Sequence, residues 1–396
     1  MSSLPHKRIY LDYNATAPLH PAARAAISAA LDFSGNASSV HAEGRAARAV
    51  VESARAEVAA FAGVAPKNVI FTSGGTEALN LALTPHFGLT QEKKLIDLLL
   101  AGAGEHPAVL AGHRFPPSQL VIGRLTPQGV LDLDALRTAV TRARAAGRRI
   151  MLAVQAANNE TGVIQPVASA AEIVHAASGA VVCDAVQAAG KIDCDMERLG
   201  ADAIALSAHK FGGPQGAGAL CLSSDRHHVG DPLLRGGGQE RGQRAGTENV
   251  AGIAGMAAAL AAARARQDEE AVTLAAWRSA LEREIARIAP EAVFFGAGEK
   301  RLPNTLCFAL PWIEAQVLLI SLDTEGVAVS SGSACSSGKV KPSHVLSAMQ
   351  VAPGLARGAI RISLGWNSSW EDCASFLEVF EGTVQRMRAR RQTTAA

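Results

Sequence analysis

Cys335 lies in a stretch whose composition suggests chemistry. The stretch VSSGSACSSG, residues 329–338, is built mainly from serine, glycine and alanine, which offer little to pack into a core. A thiol in such a setting stays accessible, as a nucleophilic thiolate must be. The alternative is a buried structural cysteine, the common role of an isolated one, and the other five cysteines fit it better. We predict that Cys335 is a reactive cysteine on a loop.

Lys210 is a second candidate, within SAHKFGGPQGAGAL at residues 207–220. It follows an apolar run and precedes a glycine-rich loop. A lysine at a buried strand end is costly unless its amine is neutral or hydrogen-bonded. A depressed amine pKa is what Schiff-base formation requires. The alternative is a lysine that extends its amine to the surface, and this motif alone does not decide between the two.

Asp184 closes the apolar run of VVCDAVQAAGK. A carboxylate there can pair with a pyridinium nitrogen and keep the ring protonated as an electron sink. Gln187 follows one turn later and could reach a ring hydroxyl. The alternative for Asp184 is a helix N-cap, a frequent role of Asp after a strand.

A phosphate cradle is indicated by FTSGGTEALNLAL at residues 71–83, where a strand leads through glycines into a helix. Free N–H groups at a helix N-terminus attract anions, and glycine lets the backbone approach closely. A capping box fits poorly, because Glu77 directly follows Thr76. The expected phosphate contacts are Ser73, Gly75 and Thr76, with Ser207 and His209 near the lysine. Cradle, ring-nitrogen carboxylate and Schiff-base lysine together are the equipment of a pyridoxal 5'-phosphate enzyme.

Short apolar runs that alternate with helical segments must position these residues. The runs at 68–72, 150–154, 180–184 and 203–207 are apolar on both faces, which is typical of a largely parallel sheet covered by helices. Helices are predicted at 43–61 and 250–288, the second with a break near residues 267–270, where charges cluster. We expect a large cofactor-binding domain over 16–260 and a smaller α+β domain formed by 1–15 and 261–396.

Bulk properties exclude several classes of function. The 396 residues carry a net charge of +2, which gives no sign of a nucleic-acid or membrane partner. No CxxC pair and no metal-ligand spacing occurs, so no metal site is expected. The N-terminus has no apolar signal segment, and no apolar run approaches the ~20 residues of a membrane span. We expect a cytoplasmic protein with reduced thiols.

Ten motifs spread over nearly the whole chain resemble those of the cysteine desulfurases of the NifS/IscS type, within the fold-type I (class V aminotransferase) pyridoxal-phosphate enzymes. They are YLDYNATAPLHP (10–21), GNASSVHAEGRAAR (35–48), FTSGGTEALNLAL (71–83), EHPAVL (105–110), ANNETGVIQP (157–166), CDAVQAAGK (183–191), SAHKFGGPQGAGAL (207–220), RGGGQERGQRAGTENV (235–250), SSGSACSSG (330–338) and IRISLG (360–365). The resemblance implies an α/β fold with a mainly parallel seven-stranded sheet in the large domain.

The resemblance also implies roles for individual residues. His106 would stack on the cofactor ring and move protons, and Asn158 would lie near the ring hydroxyl and the substrate. Thr247 would contact the phosphate in the neighbouring subunit of a homodimer. Arg361, assisted by Asn36, would bind the substrate carboxylate. Asp184, Gln187 and Lys210 keep the roles given above.

The expected reaction is conversion of L-cysteine to L-alanine, with the sulfur left as a persulfide on Cys335. A sulfur-accepting protein, such as an iron–sulfur scaffold, would then receive it, and the pathway served stays open. The alternatives are a selenocysteine lyase or a related lyase acting at Cβ, an aminotransferase, in which a loop cysteine has no task, and a non-catalytic sulfur-transfer scaffold that kept the fold.

Overall fold

The computed structural model describes residues 8–32, 34–89, 95–225, 227–331 and 343–395. Cys335 lies outside the described residues. The strands are β1 Ile9–Tyr10, β2 Val69–Thr72, β3 Phe87–Leu89, β4 Leu98–Gly102, β5 Leu120–Gly123, β6 Ile150–Gln155, β7 Ala180–Asp184, β8 Ala203–Ser207, β9 Gly218–Leu222, β10 His227–Val229, β11 Val293–Phe294, β12 Thr305–Ala309, β13 Val327–Ala328, β14 Ser330–Ser331 and β15 Ala359–Ser363. The helices are α1 Pro21–Leu31, α2 Ala42–Ala62, α3 Gly75–Ala82, α4 Pro107–Leu110, α5 Leu133–Ala145, α6 Val167–His175, α7 Met196–Leu199, α8 Val250–Ile288, α9 Ala315–Thr324, α10 His344–Ala348, α11 Pro353–Ala356 and α12 Trp370–Ala395.

A seven-stranded sheet in the order β2-β9-β8-β7-β6-β4-β5 carries the larger part of the core. The five strands from β8 to β5 are parallel, and β9 runs antiparallel to both β8 and β2. Strands β2, β4, β6, β8 and β9 are buried along their whole length, as expected where helices cover both faces of a sheet. This confirms the predicted fold class.

A four-stranded antiparallel sheet, β11-β12-β15-β14, forms a second core. Apolar side chains from the later part of α8, from α9 and from α12 pack against it, including Leu281, Ile285, Phe376 and Phe380. The N-terminal β1 pairs in parallel with β13 beside this core. Those contacts fit the predicted division into a large and a small domain, which stays a prediction.

The predicted break in α8 is wrong, because the helix runs without interruption over 39 residues. Residues 267–270 contain neither proline nor glycine, so the charge cluster removes no backbone hydrogen bond. Arg266 instead pairs with Glu270 one turn later at 3.4 Å, an arrangement that supports a helix. Among the described residues, no helix is both long and apolar enough to cross a membrane.

A buried ion pair joins α2 to the 3₁₀ turn at Gln239–Gly242. Arg55 donates two hydrogen bonds to Glu240, at 2.7 and 2.8 Å, and both side chains are at most 4% exposed. Glu240 also accepts the Phe71 N–H at 3.0 Å, so the same carboxylate holds β2. Arg55 has a second, exposed partner in Glu52. Removal of one buried partner would leave an uncompensated charge in the core.

We expect Glu240→Ala to destabilise the chain by about 3–5 kcal/mol, because Arg55 would remain buried without its main counter-charge. Glu52→Ala removes a carboxylate from the same arginine at an exposed site, so it should cost less than about 1 kcal/mol. The measurement is the shift of the urea midpoint of each variant, followed by circular dichroism. Equal shifts for the two variants would show that the buried Arg55–Glu240 pair contributes no more to stability than the exposed Arg55–Glu52 pair.

Candidate active site

The carboxyl ends of the parallel strands meet at one edge of the large sheet, where ligands bind in open α/β sheets. A cleft of about 740 Å³ lies there. The residues that follow β2, β4, β7 and β8 line it. The predicted site residues that border the cleft are Ser73, Gly75, Thr76, His106, Asp184, Gln187, Ser207, His209, Lys210 and Arg361.

Asn158 differs from its prediction, because it does not line the cleft. Its amide oxygen accepts the N–H groups of Glu160 and Thr161, both at 2.9 Å, and its amide nitrogen donates to the Gly104 carbonyl at 3.1 Å. These local bonds occupy the side chain, which is buried. The next residue, Asn159, lines the cleft instead.

Two further predicted residues lie outside the cleft of their own chain. Asn36 is exposed, and its side-chain oxygen accepts the Ser38 N–H at 2.8 Å. Thr247 is exposed as well. The predicted role of Thr247 concerns a neighbouring subunit, so its position in a single chain agrees with that role without testing it.

Lys210 ends a 3₁₀ turn, Ala208–Lys210, that directly follows β8. Its Nζ donates to the carbonyl oxygens of Asn14 at 2.7 Å and Ala15 at 2.9 Å. Burial and then the positive charge of Arg361 lower the pKa of the Lys210 amine to about 8, against the attraction of Asp12 and Asp184. The unprotonated amine is therefore far more populated near neutral pH than in an ordinary lysine, as a nucleophilic or basic lysine requires.

Asp184 is the last residue of β7 and is 7% exposed. Its Oδ1 accepts the Val186 N–H at 3.0 Å, a local bond of the kind that the N-cap alternative anticipated, although no helix begins there. Burial raises the pKa of Asp184 to about 6, in spite of that bond and of the Lys210 charge. The carboxylate stays mostly ionised at pH 7, and a buried anion is stabilised by a cationic hydrogen-bond donor in the cleft.

The cradle at the start of α3 fits an anion closely. A Cβ atom at Gly75 would lie 2.5 Å from a methyl carbon of Val186, so only glycine leaves the Val186 side chain in place. Gly74, Gly75 and Thr76 also line the cleft, at a helix N-terminus whose N–H groups favour negative charge. Ser207 also lines the cleft, and its Oγ lies near Gly74.

His106 caps α4, since its Nδ1 accepts the Ala108 N–H at 3.1 Å. That bond requires an unprotonated Nδ1, which leaves the ring hydrogen on Nε2. Burial, followed by the charges of Lys210 and His344, lowers the pKa of His106. The imidazole is therefore neutral at pH 7 and can both present a flat face to the cleft and exchange protons there.

Arg361 lies on β15, at the centre of the smaller sheet, and is 5% exposed. Its Nη2 donates to Asp12 at 2.6 Å and its Nη1 to the Asn159 carbonyl at 2.9 Å. Its Nε finds no partner in the part of the chain that the structure describes. A buried guanidinium with an unused donor beside the cleft is suited to a carboxylate ligand.

The donor set of the cleft fits pyridoxal 5'-phosphate. Gln187 donates from Nε2 to the Asn14 carbonyl at 3.0 Å, while its buried Oε1 accepts no hydrogen bond from any residue within the described ranges. An acceptor left without a donor beside the cleft suits a ring hydroxyl. The cradle suits the phosphate, Asp184 a ring N–H and Lys210 an aldehyde.

Comparisons with known proteins agree with this geometry. The aminotransferase class-V family model matches residues 9–376, so the chain belongs to this family, whose members depend on pyridoxal 5'-phosphate. The cysteine desulfurase IscS of Dictyoglomus turgidum is 38% identical over 388 residues, which cover 96% of each chain. A cysteine desulfurase of Cereibacter sphaeroides is 39% identical and covers 97% of each. The solved NifS-like protein of Rickettsia africae has a TM-score of 0.85 at 32% identity, covering 96% of this chain and 99% of its own. The family predicted from the motifs is confirmed.

We predict that the Lys210 amine titrates near pH 8, because burial and Arg361 both disfavour its charged form. The measurement is the rate of acylation of Lys210 in the cofactor-free chain against pH, read by peptide mass spectrometry. Arg361→Met should move the midpoint upward, because one of the two causes is removed. Arg198→Met, which removes a charge at an exposed site, should leave it unchanged. A midpoint above pH 10 in the parent chain would contradict the assignment.

Proposed function

We propose that this chain is a pyridoxal-phosphate-dependent cysteine desulfurase that converts L-cysteine to L-alanine and takes the sulfur as a persulfide on Cys335. The observation that carries the proposal is one cleft that joins Lys210, Asp184 and Arg361, with Ser331 in its wall four residues before Cys335. The names of the relatives support the same activity.

The cofactor would be held by groups from several strand ends. Lys210 would carry it through the amine, Asp184 would face the ring nitrogen and Gln187 the ring hydroxyl, with His106 against the ring. We infer that Asn159 takes the position first expected for Asn158, because Asn159 is the asparagine that lines the cleft. The phosphate would lie among Ser73, Gly75, Thr76, Ser207 and His209, with Thr247 of a second subunit. When bound, the cofactor accepts the electron pair that remains on the substrate Cα after deprotonation.

Substrate binding and proton removal fall to Arg361 and Lys210. Arg361 would receive the substrate carboxylate, with Asn36 as the less supported partner because its side chain lies outside the cleft. With a pKa of about 8, Lys210 in its amine form is a base of suitable strength for the Cα proton near neutral pH. The ionised Asp184 favours a protonated ring, and the neutral His106 can take up or release a proton beside the reacting atoms.

Sulfur transfer uses the thiolate of Cys335. A sulfur–sulfur bond forms between Cys335 and the substrate as the carbon–sulfur bond of the substrate breaks. The carbon skeleton gains protons and leaves as alanine, so one cysteine and one enzyme thiol give one alanine and one enzyme persulfide. No external oxidant or reductant is needed for this half of the cycle.

The partners follow from the same scheme. We propose a homodimer, in which the exposed Thr247 reaches the cofactor of the second subunit, and a sulfur-accepting protein such as an iron–sulfur scaffold. The cytoplasm is the expected location, on the sequence argument given above. The sulfur pathway is left open.

The purified chain, loaded with pyridoxal 5'-phosphate and given a thiol reductant to clear the persulfide, should form alanine from L-cysteine over many turnovers. Alanine is quantified by chromatography against a sample without enzyme. Turnover with selenocysteine but none with cysteine would replace the proposal with a selenocysteine lyase. A chain that binds no cofactor would instead favour a non-catalytic scaffold.

Cys335→Ala should separate substrate binding from sulfur transfer. L-Cysteine should still change the absorbance of the bound cofactor, while alanine formation should fall at least about 100-fold, because the sulfur acceptor is missing. Ser337→Ala, a change of similar size in the same stretch, should retain both signals. Persulfide formation at the parental rate in Cys335→Ala would overturn the role of Cys335.

A further inference from the structure

Glu77 places a negative charge at the phosphate cradle. It is the third residue of α3 and lines the cleft beside Ser73 and Thr76. Its Oε2 accepts the Ser73 N–H at 2.7 Å, which shapes the turn that enters the helix. A carboxylate is favourable at an empty helix N-terminus, but it repels a phosphate that binds at the same place.

Arg244 forms an ion pair with Glu77 and so compensates its negative charge. Its Nε donates to Glu77 Oε1 at 2.9 Å, and its Nη2 approaches Oε2 at 3.4 Å. The Arg244 and Glu77 side chains are only 20% and 14% exposed, so water screens the pair weakly. Burial alone would raise the pKa of Glu77, but the hydrogen bonds from Arg244 and Ser73 hold it below its ordinary value. Glu77 therefore stays ionised, and the positive charge that compensates it comes from Arg244.

The backbone around Arg244 is held by contacts that do not involve this pair. Glu240 is fixed by Arg55, as described above. The side chain of Gln239 accepts the Gly246 N–H at 3.2 Å, and the Ala245 N–H donates to the Leu234 carbonyl at 3.2 Å. Loss of the Arg244 charge should therefore change the electrostatics of the cradle more than the path of the chain.

We propose that Arg244 is a positioning residue of the cofactor-phosphate site, which acts through Glu77 by cancelling its charge so that a doubly charged phosphate can occupy the cradle. The inference rests on the proposed function, because it presupposes that the cradle binds the phosphate of pyridoxal 5'-phosphate. In this scheme the Glu77 carboxylate holds the Ser73 N–H and so shapes the cradle. The Arg244 charge offsets the repulsion between that carboxylate and an anionic ligand.

The test compares binding of pyridoxal 5'-phosphate with binding of pyridoxal, which lacks the phosphate, to the full-length chain after cofactor removal. Absorbance titration gives both dissociation constants without reference to turnover. Arg244→Gln should weaken binding of the phosphorylated ligand at least about tenfold, because Glu77 becomes uncompensated, and should change pyridoxal binding less than about twofold. Glu77→Gln keeps an oxygen for the Ser73 N–H and should bind pyridoxal 5'-phosphate at least as tightly as the parent.

The double variant shows whether Arg244→Gln weakens binding through the uncompensated charge of Glu77 or through a change in the structure of the site. With Glu77→Gln and Arg244→Gln together, pyridoxal 5'-phosphate affinity should return to within about threefold of the parent, because neither charge remains. An affinity as weak as that of Arg244→Gln alone, or equal losses for both ligands, would overturn the inference. Arg198→Gln removes a distant exposed charge and should leave both constants unchanged. If the parent chain binds pyridoxal and pyridoxal 5'-phosphate with equal dissociation constants, the cradle does not bind the phosphate and the proposed cradle itself is wrong.

Discussion

One buried residue, Asn14, connects Lys210 to both sheets of the structure. The Asn14 carbonyl accepts hydrogen bonds from Lys210 Nζ at 2.7 Å and from Gln187 Nε2 at 3.0 Å. On its other side, the Asn14 N–H donates to Ser363 and its amide to Thr305, both at 2.9 Å. Asn14 is 1% exposed, and its bonds to Gln187, Ser363 and Thr305 are buried, so water competes little for them. A single residue near the N-terminus thus ties two groups of the large sheet to two strands of the small one, and the catalytic geometry depends on both sheets at once.

Burial then sets the chemistry of the cleft, because it acts with opposite sign on acids and on amines. It raises the pKa of Asp184 to about 6 and lowers that of Lys210 to about 8, so each lies closer to neutrality than in water. Their mutual attraction opposes both shifts without cancelling them. An ionised acid and a partly neutral amine can therefore coexist in one cleft near pH 7, which is the combination that ring activation and Cα deprotonation require.

Much of this arrangement could be predicted from local sequence. The runs at 180–184 and 203–207 are strands over the predicted residues, since buried parallel strands read as unbroken apolar runs. Spacing could not choose between Asn158 and Asn159, because the chain leaves β6 and regular alternation ends there. The cluster of charges at 267–270 led to the prediction of a break in α8. The helix is continuous there, and the Arg266–Glu270 pair stabilises it. Contacts such as Arg244 with Glu77, 167 residues apart, and Lys210 with Asn14, 196 apart, arise only from the fold.

The structure also bounds where the Cys335 thiol can act under the proposed function. Before the segment 332–342, Ser330 pairs with Arg361 in the small sheet. After it, Ser343 donates a buried hydrogen bond of 2.5 Å to Glu160, the neighbour of Asn159. Both flanks are therefore anchored beside residues of the cleft. Cys335 is four residues from Ser331, so chain geometry limits the separation of their Cα atoms to about 14 Å. Under the proposed function, the reactive thiol is therefore tethered to a residue that lines the cleft.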